Sequence, residues 1–150
     1  MDIHYHQQAF KLLQCNPVLS LQARKQLDSL EKSIGVHLPG SLREWYSVEG
    51  AIDRLTLENE LLYFQPFSID QNAKRLKKSS HEPTLNWFIG AYGSGVFFQA
   101  AFPSEPDPVV YCIETDGSEI DGADEWSRRR FSAFVFTCCW HKLHESSYTV

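Results

Sequence analysis

Between Leu21 and Ile34, apolar residues return at Ala23, Leu27, Leu30 and Ile34, while Arg24, Lys25, Asp28, Glu31 and Lys32 fill the rest of the wheel. This spacing predicts an amphipathic helix, with Ser20 as its N-cap and Gly35 as its stop. A shorter helix is expected over about His4 to Gln14, ending before Pro17, because the residue ahead of a proline is pushed out of the helical region. Pro39 suits the first turn of another helix, where its missing N–H has no partner to lose. Leu42, Trp45 and Tyr46 form the stripe of that helix, and Gly50 is its expected end.

Beyond Gly50 the period shortens. "ELLYFQPFSI" reads as a strand that Pro66 confines to an edge or a bend, and "DQNAKRLKKSSHEPT" as a polar, basic loop or short helix. "LNWFIGAYGSGVFFQAAF" reads as two strands joined by a glycine-rich turn, with Val96, Phe98, Ala100 and Phe102 sharing one face. "PSEPDP" is a proline-stiffened loop and "VVYCIE" a further strand. "RRRFSAFVFTCCWHKL" reads as a closing helix with Phe131, Phe134, Val135 and Cys138 inward. Helices, then strands, then one helix predict a single α+β domain over residues 1–150. Its antiparallel β-sheet has N-terminal helices and a C-terminal helix packed on it.

Composition fits that reading. The 150 residues are 43% apolar and 13% aromatic, enough for one self-sufficient core. The start, "MDIHYHQQAF", lacks the basic and apolar regions of a secretion signal, and no apolar run approaches the ~18 residues of a membrane span. A cytoplasmic location is expected. Cys15, Cys112, Cys138 and Cys139 show no C-x-x-C spacing, so four free thiols are expected.

Complete catalytic patterns are missing. In "GAYGSGV" the glycines sit immediately beside Ser94, which breaks the G-x-S-x-G elbow, and no Lys-Ser or Lys-Thr follows to make a phosphate loop. A hairpin turn explains these glycines. "DGSEIDGADE" lacks the alternating acids and the sixth-position glycine of a calcium loop. Cys138, His141 and His144, three apart and followed by Glu145, could join His4 and His6 in a zinc site if the two ends of the chain met. Cys138 as core and the histidines as a polar helix face is the preferred reading. Trp45 and Trp87 read as core, whereas Trp126, just ahead of three arginines, reads equally as core or as interface.

Charge adds one more feature. From Ser79 to Ser127 there is no Lys or Arg, yet the stretch carries Glu82, Glu105, Asp107, Glu114, Asp116, Glu119, Asp121, Asp124 and Glu125. The whole chain is only −5, so the remainder is net positive. Such a half repels phosphates and disfavours nucleic acid as its ligand. It suits a basic protein, and the expected partner-binding residues are Glu105, Asp107, Glu114, Asp116, Glu119, Asp121, Asp124 and Glu125. A solvated, solubilising loop is the competing reading.

Three stretches, in order, resemble the SUKH superfamily, which includes fungal cell-wall regulators and many bacterial toxin-immunity proteins. They are Leu30-Glu31…Ile34-Gly35 with Leu38-Pro39 and the aromatic helix up to Gly50; "WFIGAYGSGVFF"; and "PVVYCIETDGSE" with "RRRFSAFVF". Together they reach from about Leu21 to Leu143. Glu49 stands where family members often have Asn, and Ala91-Tyr92 where an acid is common. The resemblance implies that the Leu38-Pro39 piece docks the N-terminal helices on the sheet. It also implies a non-enzymatic, cofactor-free immunity protein that occludes a cognate toxin, with a basic nuclease as the expected partner and neither nucleic acid nor membrane as ligand. A regulatory or scaffold adaptor is the alternative, and a metal-dependent enzyme using the Cys138–His144 helix a weaker one.

Overall fold

Ser20 caps as its position predicts. In the computed structural model, which describes residues 2–58, 63–78, 83–92, 96–103, 105–114, 119 and 128–144, its Oγ accepts the Ala23 N–H at 3.1 Å. Helix α1 spans Gln7–Leu13 and α2 spans Leu21–Ile34, ending on Gly35 at φ 76°. α1 begins three residues later than the sequence pattern suggests, and in the segment ahead of it a side chain, Glu44, accepts the N–H groups of His4, Tyr5 and His6.

The Leu38-Pro39 step is held by Glu31. One oxygen of its carboxylate accepts the Leu38 N–H at 2.7 Å, and the other accepts from Arg43, which also bonds Asp28. Helix α3, Gly40–Tyr46, follows and buries Leu42 and Trp45 completely. It stops at Tyr46, short of Gly50. Gly50, at φ 73°, instead opens a further short helix, α4, Ala51–Leu55. A left-handed glycine serves either role, and here the turn through Val48 uses it as a start.

Among the described residues, six antiparallel strands follow in sheet order β1-β2-β3-β4-β5-β6, a plain meander. They are β1 Leu57–Glu58, β2 Tyr63–Pro66, β3 Leu85–Tyr92, β4 Val96–Phe102, β5 Val109–Glu114 and β6 Arg129–Arg130, with helix α5, Ile69–Lys78, between β2 and β3. α5 is the regular helix within the basic stretch that read as loop or short helix. The last helix, α6, is Phe131–His144. The arginines ahead of it are not helical: Arg129 and Arg130 pair with Val110 and Val109, and Arg128 sits at φ 62°. The Phe131 N–H then bonds the Pro108 carbonyl at 2.8 Å, which fixes where α6 starts.

The core lies between one sheet face and the helices. Trp87, Ile89, Phe98, Ala100, Phe102 and Val110 meet Phe131, Phe134, Val135 and Cys138 of α6, all of them nearly or fully buried. Phe98 and Phe134 stand 5.1 Å apart, and Phe64 touches both rings. Gly90 admits no larger residue, since a Cβ there would run into the Phe64 ring and lie 2.5 Å from the Gln65 carbonyl oxygen. The register shift between Phe88 and Gly90 falls at this close approach. The chain is therefore an α+β protein with N-terminal helices and a C-terminal helix on one face of an antiparallel sheet. No helix among the described residues is long and apolar enough to cross a membrane.

Candidate protein-interaction face

Among the described residues, the sheet's other face carries no covering layer of helices comparable to the first. An antiparallel sheet with one face on a core normally turns polar residues outward on the other. Here the outward rungs read Phe88–Gln99–Tyr111 and Ala91–Phe97–Ile113 across β3, β4 and β5. Phe88 and Phe97 stack at 5.7 Å and 17°, with Phe67 at 5.9 and 6.2 Å from them. All three rings are half-buried, and Tyr111 beside them is 39% exposed.

One side of this face is finished by α5. The Arg75 guanidinium lies 3.5 Å over the Phe88 ring centroid and donates to the Asn86 carbonyl. Stacking of this kind stabilises an exposed ring while keeping a positive charge at the surface. The arrangement is a partly exposed aromatic and aliphatic patch with a fixed cation at one margin, and patches of that type mark protein contacts.

The other side leads to the acidic segments. Asp107 is not a free surface charge: its carboxylate accepts from the Ser132 N–H at 3.0 Å and the Ser132 hydroxyl at 2.5 Å, capping the first turn of α6. Glu105 pairs with Arg130. Glu119 bonds Arg128 Nε at 2.5 Å, and that hydrogen bond, more than the bare charge, holds its carboxyl below the ordinary range. Glu114 is exposed at the end of β5 and makes no ion pair among the described residues. Asp116, Asp121, Asp124 and Glu125 lie outside the described residues, as do Glu82, the turn at Ser94 and Trp126. The structure thus brings two of the predicted acids against arginines that begin one residue beyond the acidic stretch. The local field is smaller than a count along the chain suggests.

The other candidate chemistry is dispersed. Cys138 and Cys139 are fully buried; burial holds the Cys138 thiol well above its ordinary value and pushes Cys139 up to about 12. Both therefore stay protonated at neutral pH, the state of structural rather than reactive thiols. His144 Nδ1 contacts the Trp140 carbonyl at 2.7 Å and its ring stacks on Trp140. His6 Nε2 is on the Ser41 carbonyl at 2.7 Å. Among the described residues, no three His, Cys, Asp or Glu side chains stand together as a metal site; Glu145 lies outside them. Trp45 and Trp87 are fully buried, as core residues.

The outward aromatic face is what reading the sequence missed, although a signal for it was present. "VFF" in β4 and "VVYCI" in β5 put large apolar residues on both parities, so that neither face of these strands reads as a purely polar, solvated one. No family model, no curated protein and no solved structure matches this chain. What the fold and the face define is a class: an α+β meander domain with one sheet face built into a core and the other left half-open.

Proposed function

We propose that this chain is a non-enzymatic protein-binding domain of SUKH type, acting in the cytoplasm as an immunity protein that covers the active surface of a basic toxin domain. The observation that carries the reading is the half-open sheet face of Phe67, Phe88, Phe97, Ile113 and Tyr111. Acid-rich segments flank β5, one of its strands, in the sequence. Apolar contact supplies affinity at the centre of such an interface, and charge at its margin speeds encounter and selects the partner. The order of helices, Leu-Pro step, hairpin strands and last helix also supports it, because this is the order on which the resemblance rests. A nuclease is the expected partner class, since a nuclease must itself be basic to hold phosphates.

The test uses the toxin domain encoded by the adjacent gene. The chain is expected to form a 1:1 complex with it and to abolish its activity. Tyr111→Ala should leave the unfolding free energy within about 0.5 kcal/mol of wild type. It should weaken the complex by about 2 kcal/mol or more, roughly thirtyfold, as loss of an interface tyrosine does. Full-strength binding by the variant would remove this face from the interface, and the absence of any complex would remove the immunity reading.

A further inference from the structure

The segment leading into α1 is held by groups far away in sequence. Glu44 on α3 accepts the backbone N–H of His4 at 2.8 Å through Oε2, and those of Tyr5 and His6 at 2.9 Å through Oε1. Three successive N–H groups turned onto one carboxylate form an anion nest. The Tyr5 ring lies so close on Gly40 that a Cβ there would be 2.8 Å from its hydroxyl. Beyond this clamp, α1 buries Ala9 and Phe10, the latter 5.4 Å from the Trp45 ring.

His6 stands at the join. It is 1% exposed, with its ring 5.1 Å from Trp45 and edge-on to Phe131 at 5.5 Å. Its Nε2 is 2.7 Å from the Ser41 carbonyl oxygen. A carbonyl only accepts, so Nε2 carries the proton of the neutral ring and Nδ1 is the bare nitrogen. Nδ1 has no partner among the described residues. A second proton would therefore place an unpaired N–H and a full charge against aromatic carbon, which is costly without a new acceptor.

The charged groups facing His6 are Glu44 from α3 and Asp107 from the segment before β5, while α6 presents the uncharged Phe131 ring. Both carboxylates favour the cation. Each is already committed, Glu44 to three N–H groups and Asp107 to Ser132. Burial outweighs them, and docked His6 is held below its ordinary value.

We propose that the segment from His4 through α1 is a pH-operated strap, docked while His6 is neutral and released when His6 takes a second proton. Release uncovers Trp45 and the flank of α6 that α1 covers. The released histidine titrates near its ordinary value of about 6.5. Docking is therefore at full strength above that pH and weakens as pH falls below it, by up to about tenfold in the docked-to-released ratio per pH unit, until the lower docked value is reached.

Hydrogen exchange of the Phe10 amide, which donates to the His6 carbonyl at 3.2 Å, corrected for its intrinsic rate, reads this ratio directly. From pH 7.5 to 5.5 the opening constant should rise about tenfold in the wild type. In His6→Gln, which keeps a neutral donor for Ser41, it should stay flat. An equal pH dependence in both proteins would overturn the proposal. Should His6→Gln fail to fold, ¹⁵N-histidine spectra of the wild type decide. His6 gaining its Nδ1 proton with the same midpoint as the loss of Phe10 protection is the expected result. A His6 that protonates while Phe10 stays protected, or that remains neutral and docked at pH 5.5, would overturn it.

Discussion

Replacing Trp45 by Ala should cost about 3–5 kcal/mol of stability, the range for deleting a large aromatic from a packed core. The side chain is 0% exposed, and the rings of His6 and Phe10 lie at 5.1 and 5.4 Å from it. Its Nε1 has no acceptor among the described residues, so the loss is one of transfer and cavity rather than of a hydrogen bond. For a domain whose total stability is about 5–15 kcal/mol, a fifth or more would disappear. Pro39→Ala is the matched control. Pro39 sits at the N-cap of α3 with φ −53°, which alanine also adopts, so its loss should act mainly through unfolded-chain entropy at about 1 kcal/mol or less. Urea denaturation of both variants checks the pair. An unchanged midpoint for Trp45→Ala together with lost partner binding would move Trp45 from core to interface.

Asn72→Ala should be the second large loss, about 3 kcal/mol. β2 covers β3 only from Gly90 to Tyr92, and the backbone of Phe88 further down the strand is satisfied by Asn72. The Asn72 amide donates to the Phe88 carbonyl at 2.8 Å and its oxygen accepts the Phe88 N–H at 2.8 Å, with the side chain 1% exposed. One side chain thus stands in for the missing strand. Alanine strands a buried donor and a buried acceptor, each costing about 1–3 kcal/mol. It also leaves an unpaired sheet edge of the kind proteins cover to prevent aggregation. Asn72→Asp should be little better, since it can still accept from the N–H but meets the carbonyl with a second acceptor. Exchange of the Phe88 amide is the readout, and unchanged protection in Asn72→Ala would refute this account of the edge.

These two residues show how much a sequence discloses. α2 was legible to the residue because its periodicity, its Ser20 cap and its Gly35 stop are all local. β5 was equally clear, as was the inward set of α6. The sequence marks Gly50 as a helix end and the structure uses it as a start, because a glycine suited to positive φ does not say which neighbouring turn needs it. The edge cap by Asn72 spans 16 residues and the Glu44 clamp 38 to 40, distances at which propensity and spacing carry no information. The acidic half was legible as composition. Its partial neutralisation was not, because Arg128 and Arg130 reach Glu119 and Glu105 only once β6 pairs with β5. The outward aromatic face was written in the doubled apolar parity of β4 and β5.

The central claim is that charge beside the open face guides a basic protein onto it, and association kinetics at low and high salt tests this most directly. The variant reverses Glu114, Asp116 and Asp121 to Lys, leaving Glu119 in its bond to Arg128. Against the basic toxin domain proposed as its partner, wild type should associate fast at low salt and about tenfold or more slower at high salt. The triple variant should associate slowly at both, and its melting temperature, measured alongside, separates any cost to folding from the loss of steering. Equal rates for the two proteins at both salts would contradict the claim and leave the acidic half as a solubilising surface.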